Sequence, residues 1–193
     1  METQSLVEVA GAVFGVAYVV LAIRENAWCW PAGLANAGLY LAVFFHARLY
    51  GAAALQAVYL VLSCYGWWLW LRGGEQHGRL RVSRTPVRWA IALSALALAA
   101  TAGLGLYLER RTDAALPFPD AATTAASLAA QWMTTRKWVE SWLVWIAVDA
   151  AYVAIYLSQA LYPTAGLYVV FLVMAVLGFR EWRAATAAPG PAA

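Results

Sequence analysis

The chain has 193 residues; 64% are hydrophobic, only 12% are charged, and the net charge is +3. A soluble domain carries about 25% charged residues, so a single water-soluble core is excluded and the composition is that of a helical protein crossing a bilayer several times. The basic excess implies no nucleic-acid partner, because the arginines lie between the apolar runs.

Seven apolar segments follow one another. The first, Leu6 to Ile23, has no basic residues ahead of it and no convincing cleavage site behind it, which predicts a retained helix and not a signal peptide. The second runs from Cys29 to Phe45 and the third from Gly51 to Leu71. An Arg-rich loop, RGGEQHGRLRVSRTPVR, leads to a fourth segment, Val87 to Leu108, nearly devoid of polar side chains. ERRTDAALPFPD then precedes the fifth, Ala121 to Thr135, which is short and whose Ala and Thr content suits neighbours better than lipid. The sixth spans Glu140 to Tyr162 and the seventh Pro163 to Trp182; the tail, 184–193, has no folding pattern. Cys29 and Cys64 lie in apolar segments away from any metal or redox motif, as buried free thiols would.

Basic residues orient the chain. Arg72, Arg79, Arg81, Arg84 and Arg88 crowd one connection, which the positive-inside rule places in the cytoplasm, so the N-terminus falls outside and the C-terminus inside. Ten of the thirteen Lys and Arg residues then lie inside. Trp67, Trp68, Trp70 and Trp182 gather at the same interface as belt residues.

The sequence also repeats. A shift of 112 positions sets residues 8–70 against 120–182 with 16 identities in 63 pairs, among them Arg24/Arg136, Trp30/Trp142, Tyr40/Tyr152, Tyr50/Tyr162, Gly66/Gly178 and Trp70/Trp182. Two triple-helix units separated by one helix point the same way, a parallel-repeat transporter plan with a site near the midplane. The divisions are 1–72, the first repeat; 73–111, loop and linker helix; 112–183, the second repeat; and the tail.

The sixth segment carries the strongest chemistry. Trp142, Trp145, Asp149, Tyr152 and Tyr156 recur at 3, 4, 3 and 4 residues, so they share one helical face. A carboxylate at membrane depth costs at least ~2.5–3.5 kcal/mol and normally faces a partner or a wet cavity. An acid among aromatic rings suits a flat cationic or polar guest; the other reading is a packed seam with Asp149 bonded to a neighbouring helix. In the first repeat, Asn36, Tyr40, Gln56, Tyr59 and Ser63 are polar groups at similar depth, either ligand contacts or interhelical glue. Trp142 is a second ring of the site or an interface residue, whereas Trp145 lies deeper.

YGWWLW, ARLYGAAALQAVY, VEVAGAVFGVAYVVLAIREN, WPAGLANAG and ESWLVWIAVDAAYVAIYLSQALYPTAGLY together resemble the PnuC-type vitamin and nicotinamide-precursor transporters. The resemblance implies an all-α membrane protein of seven transmembrane helices in a SWEET-like 3+1+3 arrangement, in a bacterial inner membrane and as a homotrimer. It implies uptake of nicotinamide riboside by facilitated diffusion, with cytoplasmic phosphorylation trapping the product. Trp142 and Trp145 match the family's tryptophan pair, and Gln56 and Asn36 match polar positions. Relatives carry thiamine or other precursors, so the cargo stays open.

Arg88 and Arg180 lie near the ends of their segments and no other Lys or Arg falls inside one, which disfavours a phosphorylated cargo. No phosphate-binding loop is present, and Asp149, Glu8 and Asp120 are the only candidate ion carriers, so uniport without a cofactor is expected. His46 and His77 fall in separate loops and no hydrolase motif occurs, which argues against an enzyme. A vitamin-binding subunit or sensor that does not transport would show the same residues.

Overall fold

The structure is a computed structural model that describes residues 2–46, 48, 50–113 and 115–187. Glu8's side chain and residues 188–193 of the tail lie outside what it describes. Among the described residues seven α-helices occur: α1 Glu2–Ile23, α2 Cys29–His46, α3 Tyr50–Arg72, α4 Val87–Arg111, α5 Pro117–Thr135, α6 Ser141–Ser158 and α7 Tyr162–Ala187. Prolines set where they begin: Pro31 in the first turn of α2, Pro86 just ahead of α4, Pro117 and Pro119 opening α5, Pro163 in α7. In a first turn the missing N–H has no helical acceptor to lose, and the fixed φ suits the helix.

Among the described residues four helical stretches are long and apolar enough to cross a membrane: Ala52–Arg72, Val87–Arg111, Ser141–Ser158 and Tyr162–Ala187; Val9–Ile23 is a shorter apolar helix. α4 is the barest of them, with Val87, Ile91 and Leu98 all at least 65% exposed. That surface is stable only where hydrocarbon covers it.

Helix limits recur at the repeat offset. Adding 112 to Ile23, Cys29, His46 and Tyr50 gives Thr135, Ser141, Ser158 and Tyr162, the ends and starts of the corresponding helices. The turns recur as well. Glu25 and Lys137 both have φ 52°, and Arg48 and Ala160 have 59° and 56°. Left-handed backbone costs a non-glycine residue of order 1–3 kcal/mol and persists where the surroundings over-determine it. The turn at Ala160 corrects the expected end of the sixth helix, which stops at Ser158 instead of Tyr162. α7 continues through 184–187, the start of the tail expected to be unstructured.

The chain divides into two compact units, residues 1–81 with 135–137, and residues 82–134 with 138–193. In the first, α1 packs on α2 and α2 on α3. Trp30, fully buried, lies on Gly66 so closely that a Cβ there would stand 2.3 Å from the ring. It meets Trp70 edge-on at 5.4 Å and Tyr18 at 5.9 Å. Lys137, 4% exposed, pairs with Glu25 at 2.9 Å and sits 4.5 Å over Trp70. Glu25 and Lys137 are the same position of the two repeats, so the ion pair joins repeat-equivalent residues of opposite charge.

In the second unit α6 packs on α7. Trp142 covers Gly178, whose Cβ would lie 2.6 Å from the indole, and meets Trp182 edge-on at 5.3 Å. The same Trp–Gly–Trp packing is thus built once in each unit. Trp70 and Trp182, expected as belt residues, are 2% and 0% exposed and belong to these cores; Trp67 and Trp68 are the exposed ones. Cys29 is a buried free thiol, whereas Cys64 is exposed, contrary to expectation. Glu140, just ahead of α6, accepts bonds from the backbone N–H and hydroxyl of Thr85, both at 2.7 Å, and anchors the approach to α4.

Candidate functional site

The site is built on α6 and α5 of the second unit. Leu143 and Leu157, off the Trp–Asp–Tyr face of α6, are 47% and 51% exposed, while Asp149 is 6% exposed. The acid therefore points into protein, as the cost of charge in hydrocarbon requires. α5 presents a second polar face that sequence reasoning missed. Thr123, Ser127, Gln131 and Thr134 recur at 4, 4 and 3 residues, one side of a helix, and none is more than 5% exposed. The spacing alone was a readable signal.

The two faces meet at both ends. Trp145 Nε1 donates to Thr134 Oγ1 at 3.3 Å, and that hydroxyl donates to the Ala130 carbonyl at 2.9 Å. Three residues beyond Asp149, the Tyr152 phenol is hydrogen-bonded to Thr123 and Ser127. Thr123 Oγ1 in turn donates to the carbonyls of Pro119 and Asp120, each at 3.0 Å. Gln131 falls between these ties along α5 as Asp149 does along α6, and it too has a partner.

α7 closes one side with rings. Tyr168 lies 4.7 Å from Tyr152 and 5.3 Å from Tyr156, Tyr152 and Tyr156 stack at 5.7 Å, and Phe171 meets Tyr168 edge-on. Tyr152 and Tyr168 lie within electrostatic reach of Asp149. Among the described residues, no cation pairs with that carboxylate and no donor bonds it. No cluster of His, Cys, Asp and Glu capable of holding a metal occurs among them either.

The remaining candidates occupy separate positions. Trp142 is 4% exposed and held between Gly178 and Trp182, with its indole N–H buried and without a partner among the described residues. In the first unit, Asn36 donates its amide to the Gly11 carbonyl at 2.7 Å, an interhelical tie between α2 and α1. Tyr40 covers Gly11, where a Cβ would lie 2.7 Å from its ring, and stacks on Phe44. Ser63 is buried near Gly33, while Gln56 and Tyr59 are half-buried on α3.

Comparison with known proteins agrees with this architecture. Residues 5–184 match the family model described as Nicotinamide mononucleotide transporter. The riboflavin/roseoflavin transporter RibM of Streptomyces davaonensis is 28% identical, over 91% of this chain and 83% of its own length. The nicotinamide riboside transporter PnuC of Escherichia coli is 26% identical, over 92% and 85%. A crystal structure of the vitamin B3 transporter PnuC shares the fold, with a TM-score of 0.73 and 23% identity, covering 94% of this chain and 82% of that one. A match over nearly the whole sequence, joined to a helical fold of the same kind, places the chain in the PnuC family: it is a multi-pass membrane transporter of small molecules and not an enzyme.

Proposed function

We propose that the cargo is nicotinamide riboside, moved by facilitated diffusion into the cell and trapped there by phosphorylation. One observation carries the reading: a carboxylate, Asp149, lies 6% exposed on the helical face it shares with Trp145 and Tyr152, without a cation of the protein's own among the described residues. A flat pyridinium would supply the missing charge and stack against the rings, and a desolvated cation–π contact contributes about 2 kcal/mol. A mononucleotide fits less well, since α5 and α6 carry no Lys or Arg to meet a phosphate. The proposal places all seven helices in the bilayer in a 3+1+3 arrangement, N-terminus outside, C-terminus cytoplasmic, in a bacterial inner membrane and in a homotrimer. Trp142, Trp145, Asp149 and Tyr152 are the cargo's proposed contacts in the second repeat, and Asn36, Tyr40, Gln56, Tyr59 and Ser63 those in the first.

A second reading has its own support, because RibM, a riboflavin/roseoflavin transporter, is among the relatives. Riboflavin is flat but uncharged, and thiamine is a cation, so the three separate charge from shape. The test is calorimetric binding of nicotinamide riboside, its mononucleotide, thiamine and riboflavin to purified protein. The proposal expects nicotinamide riboside tightest. Tightest binding of riboflavin favours the second reading, and tightest binding of the mononucleotide overturns the charge argument.

A further inference from the structure

The carboxylate is only part of what a guest meets; the walls beside it are set by α5. Of the polar side chains on the two facing stripes (Thr123, Ser127, Gln131 and Thr134 on α5; Trp145, Asp149 and Tyr152 on α6), six have partners among the described residues. Asp149 is the seventh. Trp145 uses its only polar hydrogen on Thr134, and Tyr152 engages Thr123 and Ser127. An indole has one donor and no acceptor, so once bonded it offers a neighbour nothing but its ring face.

We infer that Thr134, together with Thr123 and Ser127, are positioning residues that lock the rings of Trp145 and Tyr152 on either side of Asp149. They leave the carboxylate as the one group of these seven without a partner among the described residues. The inference rests on the proposed function for what the guest is, but not for the lock itself. The helix whose composition suits lipid least is thus the one that sets specificity. An unpartnered carboxylate favours guests able to donate a hydrogen bond or bring positive charge. Thr134 also donates to the Ala130 carbonyl, which fixes its rotamer and makes its acceptor direction unambiguous.

The experiment has two arms on the full chain in detergent. In the first, indole N–H resonances of 15N-tryptophan-labelled protein are recorded without ligand, and Trp145→Phe identifies the Trp145 signal. Slow hydrogen exchange of that signal is expected in the native chain, at least tenfold acceleration in Thr134→Val, and native behaviour in Thr134→Ser. Exchange unaffected by Thr134→Val overturns the lock. In the second arm, nicotinamide riboside uptake into vesicles is measured. Thr134→Val, and independently Thr123→Val/Ser127→Ala, should raise KM about tenfold with Vmax within twofold, while Thr134→Ser stays within twofold on both. Loss of function in Thr134→Ser equal to that in Thr134→Val shows that the hydroxyl is not what matters and overturns the inference. Should the native chain move no nicotinamide riboside while the first arm behaves as expected, the proposed cargo fails and the lock stands.

Discussion

Asp149→Asn isolates the charge of the site with almost no change of shape. The carboxylate is 6% exposed and faces no cation of the protein among the described residues. A cationic ring held ~5 Å from it, at an effective dielectric near 20, is attracted by about 3 kcal/mol. Part of this is offset by dehydrating the guest, leaving about 2 kcal/mol, or roughly thirtyfold in Kd. Titration calorimetry on purified protein should show that loss for nicotinamide riboside and less than about threefold change for riboflavin. Stability moves the other way, because an unpaired buried charge is removed: Tm should hold or rise. Unchanged nicotinamide riboside affinity would refute the reasoning, and a steep fall in Tm would mark Asp149 as a packing residue.

Other consequences concern the scaffold. Gly178→Ala puts a methyl 2.6 Å from the Trp142 ring, and Gly66→Ala puts one 2.3 Å from Trp30. Each should cost about 1–3 kcal/mol of overpacking, seen as a lower Tm in detergent; a native Tm in either would contradict the Trp–Gly slot. Glu25→Gln leaves Lys137 buried without its counter-charge, an effect on the order of 2 kcal/mol once Glu25's partial exposure is discounted. Adding Lys137→Met should recover at least half of the lost Tm, and a double variant no better than the single would contradict the pairing.

Much of this architecture could be read before any coordinates. The 112-residue offset survived because it joined rare residues, and Trp30, Gly66 and Trp70 with Trp142, Gly178 and Trp182 make the same packing in three dimensions. The same alignment held the correction to the tryptophan belt. A tryptophan near a helix end has two destinations, the interface or a glycine slot, and the matched glycines pointed to the slot. It held the end of α6 too, since the second segment was read as ending at Phe45 and Arg48 aligns with Ala160. α5 was missed because its composition was weighed and its period was not. Thr, Ser and Gln look unsuited to lipid until their spacing shows a single face turned toward Asp149's helix. The Glu25–Lys137 pair lay beyond sequence reasoning for another reason: opposite charges at matched positions record a contact only when the two turns are known to meet.

The most direct test of the central idea, a cation gripped by rings and one acid, is an experimental structure of the chain with nicotinamide riboside bound. The account predicts the pyridinium within about 6 Å of the Trp145 or Tyr152 ring centre, its charge toward Asp149. A guest seated away from α6, or bound with Asp149 turned from it, would contradict the account.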